Sequence, residues 1–506
     1  MISLSQIYEK VLEADVSGVA IESRLQRAIQ LSNRFKNNVF MKREDTQSVF
    51  SFKCRGAYNK IRQLSNHERS TGIVAASAGN HAQGVALSAY QLDIDAVIVM
   101  PVTTPSIKVN AVRKYGATVV LHGDSYDDAC EHATQLASSK GYLFIHPYDD
   151  PDVIAGQGTI ASEILSQLSE PIDYIFVAVG GGGLLAGILA VFKSISPNTV
   201  VVSVEPDNSA CLAKALNAGE RVELDTVGIF ADGVAVRQIG ELTYSLIESN
   251  VDESVLVSID DICAAIKDIY DETRSIVEPA GALSLAGMKR FITDRNIEDK
   301  NIVTINCGAN MNFDRLRHVA ERAEIGEEKE ALFAVEIPES PGSLKEFCSV
   351  IGKRTITEFN YRLQTNDRAI IFLGFSIDHS NDADELLTAM NNHNYQATNL
   401  TDNELAKLHV RHMIGGVPHQ PIENERLFRC QFPERPGALM EFLNQLLSEW
   451  NISLFHYRNH GAAYGRVLIG LEVPVSDNKK LDQMISGIGF HFIEETDNLA
   501  YQLMLR

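Results

Sequence analysis

The sequence lacks an excess of basic residues: its 506 residues include 45 Lys and Arg against 66 Asp and Glu, a formal charge of −21. A net negative charge repels phosphate backbones and anionic lipids, so we expect neither nucleic-acid nor membrane partners. Hydrophobic residues make up 45% of the chain and charged residues 22%, which excludes a disordered or fibrous protein. The length predicts about three globular domains.

Cysteines are few and scattered, at positions 54, 130, 211, 263, 307, 348 and 430. No CxxC motif or Cys/His cluster has the spacing of a zinc site, so we predict no metal site of this kind. The amino terminus also lacks the charged-then-apolar pattern of a signal peptide. Both observations favour a reducing, cytoplasmic location.

One uncharged run, residues 175–192, is long enough to raise the question of a membrane helix. Four consecutive glycines, Gly180 to Gly183, lie inside it, and glycine is a poor helix former. The run is therefore predicted to be a buried strand, a glycine turn and a helix.

Strands and helices are predicted to alternate between about residues 70 and 310. The apolar strands are predicted at 72–76, 94–100, 117–121, 174–179, 200–204 and 302–305. Uninterrupted apolar strands joined by helices predict an α/β fold with parallel strands covered on both faces. Ligands bind such sheets at the carboxyl ends of the strands.

A repeat fills the last part of the chain. Residues 333–347 return as 428–442, and residues 356–362 return as 452–458, at offsets of 95 and 96. Each unit is predicted to be a small α+β module with the order strand, Pro-Gly turn, amphipathic helix, strand, strand.

The repeat and the alternating region together predict the domain organisation. We expect a catalytic domain over 1–320, a linker over 321–330, a first module over 331–402, a bridge over 403–425 and a second module over 426–503.

Four motifs carry candidate chemistry, and the first is Ser51-Phe52-Lys53-Cys54-Arg55-Gly56-Ala57. A desolvated lysine loses its charge readily and becomes a nucleophile toward carbonyls. Most lysines are instead solvated surface residues, so Lys53 alone leaves both interpretations open.

The second motif is Ser77-Ala78-Gly79-Asn80-His81-Ala82-Gln83-Gly84, between a predicted strand and a predicted helix. Ser77 or Asn80 could simply cap the helix. The same geometry suits an anion or a ring hydroxyl, for which Asn80 can donate or accept.

The third motif is Gly180-Gly181-Gly182-Gly183-Leu184, whose amides can bind a phosphate at a helix amino terminus. Gly181, Gly183 and Ala186 also satisfy the dinucleotide fingerprint, with Glu205 about 20 residues further on, so a nicotinamide-dependent dehydrogenase is an alternative.

The fourth motif is Asn306-Cys307-Gly308-Ala309-Asn310, at the end of a predicted strand. Cys307 is either an inert buried thiol or a neutral partner for a ring nitrogen.

A lysine, a ring-hydroxyl partner, a phosphate site and a ring-nitrogen partner together would hold pyridoxal 5'-phosphate. In this order SFKxRGA, SxGNHAQG, GGGGL and CGAN resemble the threonine/serine dehydratase family of fold-type II pyridoxal-phosphate enzymes, over about residues 5–320. The duplicated tail resembles the paired ACT-like regulatory modules of the biosynthetic members. The resemblance implies a two-lobed catalytic domain similar to the tryptophan synthase β subunit.

The resemblance also implies an activity. Biosynthetic members are threonine ammonia-lyases, which deaminate L-threonine to 2-oxobutanoate and ammonia by β-elimination of water, in the first committed step of isoleucine biosynthesis. A homotetramer inhibited by isoleucine and modulated by valine is implied as well. A catabolic serine/threonine dehydratase is expected to lack the tail, and a non-catalytic amino-acid sensor explains the tail alone.

Site residues follow from the resemblance motif by motif. Lys53 matches the catalytic lysine that the family links to the cofactor, and Asn80 matches the partner of the ring hydroxyl. Gly180, Gly181, Gly182, Gly183 and Leu184 match the phosphate loop, and Cys307 matches the partner of the ring nitrogen. Substrate is expected at Ser77, Ala78, Gly79, Asn80 and His81, and effectors at Tyr361 and Tyr457.

Two departures separate the chain from relatives. Serine racemases have a serine where this chain has Ala78, which argues against racemisation. Relatives that bind a divalent ion have an aspartate six residues after the position of Glu205, where this chain has Cys211. No divalent metal is therefore expected, although a monovalent ion remains an alternative.

Overall fold

The computed structural model describes residues 2–338, 347, 350–351, 356–363, 368–379, 381–412, 424–433, 450–458, 464–487 and 491–505. The chain divides into two compact units, Met1–Val319 and Ala320–Arg506. Among the described residues, no helix combines the length and the hydropathy that a membrane crossing requires.

Two sheets form the first unit. Their strands are β1 (Leu25–Arg27), β2 (Asn38–Lys42), β3 (Ile73–Ala76), β4 (Ala96–Met100), β5 (Thr118–Leu121), β6 (Leu143–Phe144), β7 (Tyr174–Ala178), β8 (Val200–Pro206), β9 (Glu253–Val257) and β10 (Asn301–Ile305). One sheet has the order β1-β2-β10-β7-β8-β9 and the other has the order β5-β4-β3-β6. Every pairing is parallel except that of β1 with β2.

Helices connect these strands. They cover Leu4–Glu13, Ile29–Phe35, Lys53–Arg62, Asn66–Thr71, Asn80–Leu92, Ser106–Arg113, Tyr126–Lys140, Pro151–Gln167, Gly183–Ile195, Cys211–Ala218, Glu241–Ile247, Ile259–Thr273, Pro279–Arg295 and Arg315–Gly326. The predicted parallel α/β fold is confirmed, and the six predicted strands are present with ends shifted by at most two residues.

The inner strands of both sheets in the first unit are buried on both faces, as their continuous apolar sequences predict. In β3, Ile73 and Ala75 join one hydrophobic cluster while Val74 and Ala76 join a second one. Successive side chains of a strand point to opposite faces, so helices must cover both sides. The two sheets share no strand, and each forms the centre of one lobe.

The second unit contains two sheets of the same topology. Its strands are β11 (Glu330–Pro338), β12 (Ile356–Leu363), β13 (Arg368–Ser376), β14 (Gln396–Asn399), β15 (Glu425–Pro433), β16 (Asn451–Arg458), β17 (Tyr464–Glu472) and β18 (His491–Glu494). Their orders are β12-β13-β11-β14 and β16-β17-β15-β18, and all pairings are antiparallel. The two α+β modules are therefore confirmed as copies of one fold.

The sequence repeat missed part of each module. A helix and a final strand follow the three strands in both copies, with the helices at Asn381–Asn392 and Asn478–Gly487. Two shorter helices, Glu404–Leu408 and Leu499–Met504, follow the last strands. The predicted Pro-Gly turns and most of the predicted helices after them, within 339–349 and 434–449, lie outside the described residues.

Both modules contribute to one hydrophobic core within the second unit. Leu332 and Phe372 of the first copy belong to the same buried cluster as Leu427, Leu468 and Tyr501 of the second. The duplicated modules therefore pack together as a pair.

Candidate active site

A cleft lies between the two lobes of the first unit. Its wall collects residues that follow the carboxyl ends of strands in both sheets, as parallel α/β folds predict. The lining residues are Phe52, Lys53, Asn80, Tyr148, Ala178, Gly180, Gly181, Gly182, Gly183, Leu184, Gly233, Val234, Glu278, Ala280 and Cys307. All four sequence motifs therefore meet in one place.

Lys53 enters the cleft from the first turn of the helix Lys53–Arg62. The backbone just before it is held against the end of β10, because the Phe52 N–H donates to the Cys307 carbonyl at 3.2 Å. This pairing places the lysine and the thiol on the same wall although they are far apart in sequence.

The surroundings of Lys53 lower the pKa of its amine. Its Nζ donates to the Pro147 carbonyl at 2.8 Å, and no carboxylate forms an ion pair with it among the described residues. Desolvation lowers the pKa of Lys53 to about 8. The neutral, nucleophilic form of this amine is therefore far more populated near neutral pH than in an ordinary lysine.

The glycine loop forms a closely packed cup at the start of the helix Gly183–Ile195. Gly182 has φ +90°, in the left-handed region that favours glycine, and a Cβ there would lie 2.8 Å from Ile239 Cδ1. A Cβ on Gly181 would lie 2.3 Å from the Tyr148 ring. Side chains are thus excluded, and the free amides of the helix terminus favour an anion.

Cys307 is 4% exposed, at the end of β10. Burial raises the pKa of its thiol well above the ordinary value, and the nearby Glu278 adds to this effect. The group facing the cleft is consequently a neutral thiol, which can accept or donate only a weak hydrogen bond.

Asn80 is held by two neighbours. Its Oδ1 accepts from Asn310 Nδ2 at 2.7 Å, and its Nδ2 donates to Glu278 Oε1. Asn310 Nδ2 also donates to the Val49 carbonyl at 2.8 Å. The amide of Asn80 therefore has a fixed orientation at the cleft.

Glu278, which the sequence motifs did not identify, precedes the helix Pro279–Arg295 without capping it through its side chain. Desolvation, together with the negative charge of Asp232, raises the pKa of Glu278 to about 7. Asp232 itself is paired with Lys108 at 2.8 Å and Arg315 at 3.3 Å. Those two cations outweigh burial and hold the pKa of Asp232 well below its usual range.

The remainder of the predicted substrate segment is not part of the cleft lining, which includes Asn80 but not Ser77, Ala78, Gly79 or His81. The Gly79 N–H donates to Ser77 Oγ at 3.2 Å, an interaction that shapes the turn before the helix. The His81 ring is buried against the Ile145 carbonyl, and desolvation lowers its pKa to about 3.

The two predicted effector residues occupy equivalent positions in the repeat. Tyr361 of β12 pairs with Ile371, and Tyr457 of β16 pairs with Val467, at the same offset of 96 residues. Their side chains lie outside the described part of the structure.

Glu205 and Cys211, considered for an ion site, lie beside a helix start. The Glu205 carboxylate accepts the N–H groups of Leu212 and Ala213, each at 2.8 Å. The described residues contain no group of three or more His, Cys, Asp or Glu side chains able to hold a metal ion.

The cleft fits pyridoxal phosphate by the chemistry of its donors. Lys53 would supply an amine for the aldehyde, and the glycine loop, where side chains have no room, would supply amides for the phosphate. Asn80 would supply an amide for the ring hydroxyl, and Cys307 would supply a neutral thiol for the ring nitrogen. Tyr148, which the motifs also missed, supplies the ring that packs on the cup.

Two protein families match the chain. The family of pyridoxal-phosphate-dependent enzymes matches residues 16–308. The C-terminal regulatory domain of threonine dehydratase matches residues 321–410 and again 419–505.

Relatives match over almost the whole chain. The biosynthetic L-threonine dehydratase of Burkholderia multivorans is 50% identical over 500 residues, which cover 98% of both chains. The biosynthetic L-threonine dehydratase of Escherichia coli is 46% identical, covering 98% of this chain and 96% of its own.

Solved structures match just under two thirds of the chain. The processed form of threonine deaminase isoform 2 from Solanum lycopersicum is 49% identical with a TM-score of 0.63, covering 64% of this chain and 88% of its own. Maize serine racemase is 29% identical with a TM-score of 0.59, and the match covers 63% of this chain and 97% of its own. The full-length relatives and both family matches show that the chain belongs to the biosynthetic threonine dehydratases, pyridoxal-phosphate-dependent enzymes with a C-terminal regulatory domain.

Proposed function

We propose that this protein uses pyridoxal phosphate to deaminate L-threonine to 2-oxobutanoate and ammonia, the first committed step of isoleucine biosynthesis. The observation that carries the proposal is the meeting of Lys53, Asn80, the glycine cup and Cys307 in one cleft. Relatives that match along the whole chain are biosynthetic threonine dehydratases by name.

Each group of residues in the cleft has its own proposed role. Pyridoxal phosphate, when bound, supplies an electron sink conjugated to the substrate amine. Lys53 would hold the cofactor through its Nζ, and in its neutral form the same Nζ would accept the α-proton of the substrate. Gly180–Gly183 and Leu184 hold the phosphate. Because burial keeps the Cys307 thiol neutral, it would face the ring nitrogen without favouring its protonation, which suits elimination of the β-hydroxyl.

The substrate carboxylate is assigned to the turn before the helix Asn80–Leu92. Gly79 has no atom within 4 Å of where its Cβ would be, so its backbone is open to a ligand. We assign the carboxylate to the amides and side chains of Ser77, Ala78, Gly79, Asn80 and His81, with His81 contributing through its backbone because its ring is turned away.

The regulatory part is proposed to sense amino acids. The catalytic function is assigned to residues 1–320, and the regulatory function to the modules 331–402 and 426–503. A linker at 321–330 and a bridge at 403–425 connect them. Isoleucine is proposed to inhibit and valine to modulate the enzyme, in a cytoplasmic homotetramer. The tail, which the regulatory-domain family matches twice, separates this proposal from a catabolic serine/threonine dehydratase.

Steady-state assays with the purified protein test the proposal. We expect 2-oxobutanoate to form from L-threonine faster than pyruvate forms from L-serine, and isoleucine to inhibit the reaction. Turnover without inhibition by isoleucine would favour the catabolic alternative. Absence of keto-acid formation in the pyridoxal-phosphate-loaded protein would exclude both.

The pKa of Lys53 predicts how uptake of the cofactor depends on pH. Only the neutral amine attacks the aldehyde, and its share grows as pH rises toward and past about 8. We expect the rate at which apoprotein takes up pyridoxal phosphate, followed by stopped-flow absorbance, to rise from pH 6 to about pH 9 and then level off. A rate that keeps rising to pH 10 would indicate an ordinary lysine.

The repeated tyrosines predict a separable effect on inhibition. Tyr361→Ala and Tyr457→Ala are each expected to weaken inhibition by isoleucine about tenfold, within the usual range of allosteric coupling. The kcat/KM for threonine without isoleucine should stay within about twofold of wild type. Unchanged inhibition in both variants would place the effector site elsewhere in the regulatory modules.

A further inference from the structure

We infer that Asn310 and Glu278 are positioning residues, which together fix the Asn80 amide so that one of its N–H groups is directed at the ligand in the cleft. This inference rests on the proposed function, because it concerns how Asn80 meets the cofactor. Asn310 belongs to the strand-end motif in which only Cys307 received a role, and Glu278 belongs to none of the four motifs.

The orientation of the Asn80 amide follows from assigning donors and acceptors along a chain of hydrogen bonds that begins at the Val49 carbonyl. The Val49 carbonyl can only accept, so Asn310 must turn its Nδ2 toward it, at 2.8 Å. The other hydrogen of that Nδ2 goes to Asn80 at 2.7 Å, so Asn80 must present Oδ1 there. Asn80 Nδ2 is then left to donate, and one of its two hydrogens goes to Glu278 Oε1.

The second hydrogen of Asn80 Nδ2 remains for a ligand, since Asn80 lines the cleft. An amide N–H is the correct partner for an electron-rich ring oxygen, whereas a flipped Asn80 would present its own oxygen and repel it. Fixing the amide before the cofactor arrives avoids an ordering cost on binding.

The backbone next to Cys307 is adapted to this arrangement. A Cβ on Gly308 would lie 2.5 Å from Glu278 Oε1 and 3.2 Å from Asn80 Nδ2. The Glu278 N–H also donates to the Gly308 carbonyl at 3.1 Å. Glycine at this position therefore leaves the space in which the carboxyl and the amide meet.

Glu278 serves this role without an opposing cation of its own. Among the described residues it forms no ion pair, while Lys108 and Arg315 are paired with Asp232. With a pKa raised to about 7 by burial and by Asp232, the carboxyl is partly neutral near neutral pH. Because part of the Glu278 carboxyl is neutral, less negative charge faces an anionic cofactor bound beside Lys53 and Cys307.

The test measures the affinity of the full-length apoprotein for pyridoxal phosphate by equilibrium dialysis, together with the midpoint of its thermal unfolding. Asn310→Ala and Glu278→Leu are each expected to weaken affinity about tenfold, the effect of one lost orienting hydrogen bond. Glu278→Gln keeps an acceptor of the same shape and should stay within about threefold of wild type. A near-normal affinity in Glu278→Gln, beside a weakened one in Glu278→Leu, would show that the hydrogen-bond acceptor at position 278 matters and not packing alone.

Asn37→Ala is the matched control. Asn37 is buried and, like Asn310, donates both Nδ2 hydrogens, here to the backbone carbonyls of Phe35 and Ile297, but it does not line the cleft. Its replacement should lower the unfolding midpoint without changing affinity. Wild-type affinity in Asn310→Ala and Glu278→Leu would overturn the inference, as would an equal loss in Asn37→Ala. If wild-type protein itself neither binds pyridoxal phosphate nor deaminates threonine, the proposed function fails instead.

Discussion

Lys53→Ala is expected to abolish turnover of threonine, with a fall in kcat of at least about 10⁴-fold. The substitution removes the amine that we propose holds the cofactor and accepts the α-proton, and the other cleft residues offer no second amine. The near-visible absorbance of the protein–cofactor link should disappear at the same time. The fold should persist, because the Lys53 amine is held by a hydrogen bond to the Pro147 carbonyl and not by a buried ion pair.

Lys36→Ala provides the control for this result. Lys36 is an exposed lysine of the same unit, paired with Glu298 at the surface. Its removal should leave kcat and absorbance unchanged. An active and still coloured Lys53→Ala variant would show that the assignment of Lys53 is wrong.

Gly182→Ala is expected to weaken binding of pyridoxal phosphate by about 100-fold. The new methyl group would require a left-handed backbone, which costs about 1–2 kcal/mol for a residue with a Cβ. It would also lie 2.8 Å from Ile239 Cδ1 and 2.9 Å from Thr243 Cβ, an overpacking that costs about 1–3 kcal/mol. Relief requires the loop to move, which misaligns the amides of the phosphate cup.

Gly141→Ala is a control that separates the cost of a left-handed backbone from the cost of overpacking. Gly141 also has a positive φ, of +75°, but no atom lies within 4 Å of where its Cβ would be, and it ends a helix away from the cleft. We expect it to lower the unfolding midpoint slightly and to leave cofactor affinity unchanged. Equal affinity losses in both variants would mean that the cup has no specific role in binding.

The sequence was sufficient to predict the residues that lie at strand ends. Asn80, the glycine loop and Cys307 follow β3, β7 and β10, and parallel strands bring their carboxyl ends to one edge of each sheet. The alternation of apolar strands with helices likewise predicted the α/β unit, and the repeat predicted the paired modules. The order of the strands across each sheet has no local signal, because pairing depends on long-range packing.

Other cleft residues could not be predicted because their local sequence has a different explanation. Glu278 before Pro279 resembles an ordinary helix start, where an acidic residue is favoured by the helix dipole. Tyr148 follows β6, a strand of two residues that is too short for a periodic pattern. The late helix and strand of each module were missed because the repeated motifs end before them.

The central claim is that Lys53 holds pyridoxal phosphate in this cleft. Peptide mapping after borohydride reduction of the loaded, threonine-active enzyme tests it most directly. We expect the reduced cofactor on the single peptide that contains Lys53, and loss of activity in proportion to its attachment. Attachment to another lysine, or full activity after complete modification of Lys53, would contradict the account.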